Sequence, residues 1–386
     1  MTPDACIVLA LHTHDSAIWK TQYAGLCRYC RPRGWTVRDC CLGRSVHLRT
    51  LRRLVRDARV VGVISSLPMR LPPAVRAHVP VVCFDCPRTA VPEGSPHIRH
   101  DADQTAHLAA GELMSLPLRC LAYAHLPSDM YWSRERAEAF AREILRRGGH
   151  LGPAFRQPGV SDRRRLLPAV VRWLAGLPKP CGVFAANDEM AQVVVQACVR
   201  AHLRVPDDVA VVGVDNDPRF CEGAVPISSV MPDWDAGAFL AARALDRIVR
   251  ADARAVEATA FRPLGLMRRQ SSGGGHRARQ EPRIQEAVGL IRAEACAGLR
   301  AVRVLGVMRG ARRSAEQTFR SVTGMSVLEA IRRARFENAQ ILLETTCRDV
   351  AYVAQASGYR SVPTFCRTFK AALGLSPLEW RAKSRA

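Results

Sequence analysis

Short apolar runs recur through the first 250 residues, each separated from the next by a stretch with helical periodicity. CIVLAL (6–11), VVGVISS (60–66), VPVVCFD (79–85), LRCLAYA (118–124), CGVFAAN (181–187) and DVAVVGVDN (208–216) are too short for buried helices and read as strands covered on both faces. Helical spacing fills stretches between them, such as Arg134 to Arg147 and Asp188 to His202. Parallel strands cannot be joined by hairpins; they need crossovers, and helical crossovers cover the sheet. The expectation is a doubly wound α/β domain. Its last run breaks off at Asp215-Asn216-Asp217, and in open parallel sheets the ligand lies at the carboxyl ends of the strands. A small polar ligand is expected there.

The strand pattern stops near residue 270. SSGGGHRARQEPR (271–283) has no hydrophobic period and gathers Gly, Ser and charge, as linkers do. Beyond it, 284–298, 301–309, 312–322, 326–344, 349–356, 361–373 and 376–381 each fit a helix, with Gly310, Gly324, Gly358 and Gly374 in the connections. The expected division is an α/β domain over 1–270, a linker over 271–283 and an all-helical domain over 284–386, with no internal repeat.

The net charge of +22 comes from 53 arginines and four lysines against 35 acidic residues, an Arg skew of the kind a GC-rich coding sequence produces. Its distribution says more: residues 283–386 carry +10 over 104 residues, against +12 over the preceding 282. The helical segment is the more densely positive part, as a polyanion-binding module is. No apolar run approaches the roughly 20 residues of a membrane span. The opening MTPDACIVLALHTHD has neither a basic leader nor a small-residue cleavage site, so a cytoplasmic chain with reduced thiols is expected. Among 14 cysteines, Cys27/Cys30 and Cys83/Cys86 have C-x-x-C spacing, which can hold zinc. The first pair lies in a helical pattern and the second closes a strand, so both read as small core residues. No metal and no cofactor is expected.

DVAYVAQASGYRSVPTFCRTFK (349–370) has the spacing of a helix-turn-helix. Asp349 can cap the first helix, Ala354 allows a close crossing, and Gly358 can take the turn conformation. Ser361 can cap the second helix, with Pro363 in its first turn. Phe365 and Phe369 would bury one face, leaving Ser361, Thr364, Arg367 and Lys370 for bases and phosphates. With RARFENAQILLETT before it and GLSPLEWR after it, this segment resembles the C-terminal domain of the AraC/XylS family of transcription regulators. The resemblance implies two helix-turn-helix units joined by a long helix, about 326–344. The first would span about Ala301 to Arg320, with Arg313, Glu316, Gln317 and Arg320 toward DNA. Here Ala311 stands at the usual serine cap and Ala315 at the usual core leucine, which weakens that unit by about 1 kcal/mol for the cap and about 2 for the packing.

VFAANDEMAQVVVQACVRAHLRVPDDVAVVGVDNDPRFCEGAVPISSVMPDWDAGAFLAARALDRIV resembles the sugar-sensing core of LacI/GalR regulators and periplasmic sugar-binding proteins, and its union with an AraC-type end resembles the xylose-operon activator group. That resemblance implies a two-lobed, periplasmic-binding-protein-like sensor with three crossing segments and ligand in the cleft. Sugar hydroxyls both donate and accept, so they call for carboxylates, amides and guanidinium groups. The matching positions are Asp215 at the strand end, Asn187 in AAND, Arg136 in WSRERAEAF, Asp101 after VPEGSPHIRH, and Asp15 after the first strand. Trp132 could stack on a sugar or pack within the domain, and Asp188 and Asp217 read as helix or turn caps.

The implied function is a sugar-responsive transcription regulator, with a small sugar effector, double-stranded operator DNA and RNA polymerase as partners and a homodimer as the assembly. No catalytic residue and no membrane are required. The alternative is a DNA-repair methyl acceptor, which needs an activated thiolate; its nearest local match is Pro180-Cys181-Gly182-Val183.

Overall fold

The computed structural model describes residues 6–12, 17–41, 53, 55, 59–66, 71, 73–127, 130–157, 163–250, 259–274, 284–308 and 311–385. The chain forms two compact units, Met1–Ala278 and Arg279–Ala386.

In the first unit, β1 (Cys6–His12), α1 (Ala17–Cys30), β2 (Trp35–Cys41), β3 (Val60–Ser65), α2 (Pro73–His78), β4 (Val81–Phe84) and β5 (His97–His100) begin one lobe. The second lobe follows with α3 (Ala102–Met114), β6 (Cys120–Ala124), α4 (Tyr131–Arg146), α5 (Arg163–Ala175), β7 (Cys181–Ala185), α6 (Asp188–Arg200), β8 (Val209–Val214), α7 (Pro218–Cys221) and β9 (Ser228–Pro232). The chain then returns through α8 (Trp234–Val249), which packs on α1, and β10 (Thr259–Phe261), and leaves again as β11 (Pro263–Met267). The sheets run β10-β5-β4-β3-β1-β2 and β11-β9-β8-β7-β6. All pairs are parallel except β11 with β9.

The chain therefore crosses between lobes three times, after His100, after Pro232 and at Arg262. Two crossings are stitched together: the Asp101 N–H donates to the Phe261 carbonyl at 2.9 Å. Phe261 stacks on Phe84 at 6.0 Å and meets Trp234 at 5.3 Å, so the crossing region has its own aromatic core.

All six expected strands are present. β2, β5, β9, β10 and β11 were not visible in the sequence pattern. In β9, Ser228 and Ser229 are buried because their hydroxyls are satisfied: Ser228 Oγ donates to the Arg269 carbonyl at 3.1 Å and Ser229 Oγ to Asp188 Oδ1 at 2.6 Å. Ser271 and Ser272, which the sequence assigns to the linker, are buried in the same network, Ser271 Oγ donating to the Val211 carbonyl at 2.6 Å. The polar composition of that stretch reflects satisfied hydrogen bonds inside the sensor.

The turn after β8 is held from beneath. Asp188 is buried in the first turn of α6, where its Oδ2 accepts the Asp217 N–H at 2.8 Å while Ser229 reaches Oδ1. A Cβ on Gly213 would lie 2.2 Å from Asp188 Oδ1, so glycine is what lets this carboxylate approach the strand. Asp217 caps α7, as expected; α6 itself is capped by Asn187, and Asp188 serves the turn.

In the second unit, α9 (Ile284–Glu294), α10 (Ala301–Val307), α11 (Arg312–Thr323), α12 (Val327–Thr345), α13 (Val350–Ala356), α14 (Val362–Leu373) and α15 (Pro377–Arg385) follow the expected helices closely. The structure also reveals a repeat that the sequence reading did not pick out. At an offset of 50 residues, Phe319 matches Phe369, Gly324 matches Gly374, and the capping pair Ser326–Glu329 matches Ser376–Glu379. Both phenylalanines are buried, both glycines are left-handed at φ 75° and 74°, and in both pairs the glutamate accepts the serine N–H at 2.7 Å. The long helix α12 braces the second copy, Asn338 Nδ2 donating to the Ala356 carbonyl at 3.2 Å.

Burial raises the Asp188 carboxyl to about 8, with nearby Asp215 adding to the rise. The folded chain thus holds this proton more tightly than the unfolded chain does. The contribution to stability is fully present below the unfolded value, about 4, and is lost as pH rises toward about 8. Asp188→Asn removes that titration, so chemical denaturation of variant and parent across this range should show the parent losing stability relative to the variant as pH rises.

Candidate ligand cleft and nucleic-acid interface

The strand ends of the two lobes bring four charged or titratable groups into electrostatic contact. From the first lobe, Asp85 follows β4 with φ 44°, and its Oδ1 lies 2.6 Å from His100 Nδ1 at the end of β5. From the second, Asp215 follows β8 with φ 104°, its backbone N–H held by the Val230 carbonyl at 2.9 Å. Such positive φ values are costly for a non-glycine residue and here turn the chain sharply off its strands. Arg136, on the first turns of α4, is only 2% exposed; its Nη1 donates to the Ala186 carbonyl at 2.6 Å, and its Cζ lies 4.8 Å from the Trp132 ring centroid. Trp132 thus packs on the guanidinium. A further pair, Arg99 and Glu135 at 3.6 Å, links the lobes.

The charges are mutually compensated. Burial pushes the Asp85 carboxyl up, but His100 and then Arg136 outweigh it and leave Asp85 below the ordinary carboxylate value. Asp215 goes the other way: burial raises it, against the pull of Arg136 and His100. Burial, followed by the negative charge of Asp85, lifts the Tyr131 phenol well above its usual value, so it remains a hydrogen-bond donor. Five buried polar atoms here have no hydrogen-bond partner among the described residues: His100 Nε2, Tyr131 Oη, Arg136 Nε, Asp215 Oδ1 and Trp234 Nε1. Buried polar atoms are rarely left unpaired, and this set mixes donors with an acceptor, as a polyhydroxylated ligand requires.

Of the expected ligand residues, Asp215 and Arg136 come together. Arg136 is a buried structural cation as well as a cleft side chain, a role its position in the sequence did not indicate. Asn187 lies beside Ala186, but its Oδ1 caps α6 by accepting the Met190 N–H at 3.0 Å. Asp101 caps α3 through the Gln104 N–H at 2.9 Å. Asp15 lies outside the described residues. Asp85, His100, Tyr131 and Trp234 were missed. Asp85 ends VPVVCFD as Asp215 ends DVAVVGVD, so the strand-end argument could have found it; His100 was hidden because β5 read as part of a loop.

In the helical unit, Asp349 accepts the Tyr352 N–H at 2.7 Å to cap α13, and Gly358 turns the chain at φ 78°, where a Cβ would come within 3.0 Å of Cys296. Ser361 caps α14 with Pro363 in its first turn, and Phe365 and Phe369 are buried with ring centroids 5.4 Å apart. Ser361, Thr364, Arg367 and Lys370 are exposed. On α11, Ala311 makes no side-chain cap and Ala315 is buried where the second copy has Phe365. Arg313, Gln317 and Arg320 are exposed beside an open groove of about 720 Å³. Glu316 lines the same groove and is half-buried, its Oε1 accepting the Val327 N–H at 3.1 Å and satisfying the start of α12.

Residues 110–272 match the periplasmic binding protein-like domain, and residues 308–383 match a helix-turn-helix domain. The chain thus joins a periplasmic binding protein-like domain to a helix-turn-helix domain. It is 27% identical to the xylose operon regulatory protein of Escherichia coli K12 over 66% of this chain and 65% of that one. It is 25% identical to the namesake from Haemophilus influenzae over 74% of each. The alignment thus spans just under two thirds of the Escherichia coli protein. In fold, the chain is similar to the xylose-binding transcription activator XylR, with a TM-score of 0.55 and 21% identity over 99% of both chains. It is also similar to the regulator CelR in its cellobiose complex, with a TM-score of 0.57 and 22% identity over 70% of this chain and 86% of that one.

Arg136→Ala would remove the donor to the Ala186 carbonyl and the positive charge near Asp85 and Asp215, and should destabilise the unliganded sensor by about 2 kcal/mol, as loss of a charged hydrogen bond from a buried site does. Asp215→Asn should change unliganded stability by less than about 1 kcal/mol, because this carboxyl carries a raised pKa and one unpaired oxygen. Thermal and urea melts without ligand compare the two directly.

Proposed function

We propose that this chain is a sugar-responsive transcription regulator, in which closure of the two lobes on a small sugar changes how the helix-turn-helix domain engages operator DNA. The observation that carries the reading is the set of unpartnered buried atoms spanning both lobes, in one chain with two helix-turn-helix copies that present exposed basic residues. A ligand touching both lobes binds the closed state better than the open one, and that differential affinity is what shifts a two-state equilibrium. Asp215, Arg136, Asn187 and Asp101, joined by Asp85, His100, Tyr131 and Trp234, are the proposed sugar contacts. Arg313, Gln317, Arg320, Ser361, Thr364, Arg367 and Lys370 are the proposed DNA contacts. A homodimer acting on paired operator sites with RNA polymerase as its target, in the cytoplasm and without catalysis, completes the proposal. A xylose operon regulatory protein and regulators solved in complex with cellobiose and with lactose are among the similar proteins, which supports a sugar as the ligand.

The methyl-acceptor alternative has little support in the geometry. Cys181 is fully buried at the start of β7, and burial raises its thiol to about 11, the reverse of an activated thiolate.

Two measurements test the proposal. A thermal-shift panel of pentoses, hexoses and disaccharides should find a stabilising sugar, and Asp215→Ala should abolish that shift; equal shifts in parent and variant would remove Asp215 from the site. In operator titrations at one fixed salt concentration, Arg367→Ala should cost about 1 to 3 kcal/mol of binding and more than Gln317→Ala, because α14 has a side-chain cap and a second buried phenylalanine that α11 lacks. Binding should weaken steeply with salt as phosphate contacts release counterions.

A further inference from the structure

The last segment of the sensor, 268–274, is tied to α3, to β9 and to the turn after β8. Arg268 Nε donates to Glu112 Oε2 at 2.5 Å, Ser272 Oγ to the other oxygen of that buried carboxylate at 2.7 Å, and the Arg269 N–H to Ser228 Oγ at 2.8 Å. Gly274 folds back on the segment: its N–H donates to the Arg269 carbonyl at 2.8 Å, and a Cβ there would lie 2.7 Å from the same oxygen. The buried side chain of Arg269 reaches the other way. Its Nη1 donates to the Ile227 carbonyl at 2.7 Å and its Nη2 to Asn216 Oδ1 at 2.6 Å. Asn216 is the neighbour of Asp215, so one hydrogen bond joins the cleft turn to the segment by which the chain leaves the sensor.

We propose that Arg269 is a positioning residue that couples the cleft to this exit segment: a ligand seated on Asp215 shifts the Asp215–Asn216 turn, and the Asn216 side chain passes the shift through the Arg269 guanidinium to residues 269–274. The ligand half of this proposal rests on reading the cleft as a sugar site. Coupling needs an element with two arrangements that both ends can bias, and the turn is that element. Asp215 at φ 104° and Asn216 at φ 53° are held in costly conformations, and a ligand bonded to the unpartnered Asp215 Oδ1 changes their balance. The turn does not owe its shape to the Asn216 side chain. Three successive backbone N–H groups hold it: Asp215 donates to the Val230 carbonyl at 2.9 Å, Asn216 to Ser229 Oγ at 2.9 Å and Asp217 to Asp188 Oδ2 at 2.8 Å. The Asn216 side-chain oxygen serves the contact with Arg269 instead. A guanidinium is a rigid planar fork, so a shift at one nitrogen carries the rest of the group with it.

The test follows amide hydrogen exchange in the full-length protein. Asn216→Gly removes the side chain and leaves the backbone unstrained at φ 53°, whereas Asn216→Asp keeps an oxygen for Arg269. Thermal-shift titrations with D-xylose, D-ribose, D-glucose and cellobiose identify a stabilising sugar and give its affinity for each protein. Saturation with that sugar should slow exchange over 269–274 by about threefold or more in the parent and in Asn216→Asp. In Asn216→Gly the sugar should bind within about threefold of the parent's affinity and leave exchange over 269–274 unchanged. A contact that only stabilises the fold would not separate binding from response in this way. The proposal is overturned if the sugar leaves 269–274 unchanged in the parent, if it slows Asn216→Gly equally, or if Asn216→Gly loses more than that in affinity. If none of the four sugars stabilises the parent, the sugar reading fails separately, and the unliganded proteins decide the contact. Exchange over 269–274 should then be about threefold faster in Asn216→Gly than in the parent, with β7 unchanged. Equal rates, or an acceleration that extends through β7, refute it.

Discussion

Arg136 carries a charge it cannot shed, so its burial has to be matched by oxygen atoms from the structure around it. The Ala186 carbonyl supplies one direct contact, and Asp85 and Asp215, from different lobes, supply the field. The remaining architecture of the sensor can be read as the means of bringing those groups to one place. Strands β4, β5 and β8 end there, the left-handed residues after β4 and β8 turn the chain at that level, and the Asp188–Ser229 network fixes the turn that follows Asp215. A cleft assembled in this way is electrostatically complete and still short of hydrogen bonds, and that mismatch makes a neutral, hydroxyl-rich ligand a suitable occupant.

The helical unit solves a different problem. Its recognition helices must leave one face bare, so all of their stability has to come from the other face and from their ends. In α14 the buried pair of phenylalanines, the serine cap and the left-handed glycine meet that demand together. In α11 a single phenylalanine does most of the packing, and the unpaired N–H groups of its first turn find no side-chain cap. Glu316, while lining the open groove, also accepts from the start of α12 and so ties α11 to the long helix.

Much of this was legible in the sequence because the relevant signals are local. Apolar runs marked six of the strands, and caps, glycines and paired phenylalanines placed the helices within a residue or two at most ends. What escaped depended on contacts across the chain. β9 and the residues near 271 are polar by composition and buried by mutual hydrogen bonding, which no window of sequence reveals. His100 and Trp234 join the cleft only because the crossing segments bring residues more than a hundred positions apart into contact. Asp101 and Asn187 were marked as ligand positions by the family resemblance, but the geometry that makes them helix caps became evident only with the helices in place.

The constant offset of 50 residues between the two halves of the helical unit makes each position an internal control for its counterpart. Ala315 and Phe365 occupy equivalent positions at this offset, as do Ala311 and Ser361. The same tertiary scaffold thus holds one copy with its interior filled and another with it trimmed, so the two recognition helices differ in the free energy needed to open them locally while sharing solvent, charge density and neighbouring helix. In amide exchange, the backbone of α11 would open ahead of α14 by the cost of a missing cap and a missing ring. With both helices on DNA as proposed, that inequality would make one half the stiffer reader and the other the more compliant one.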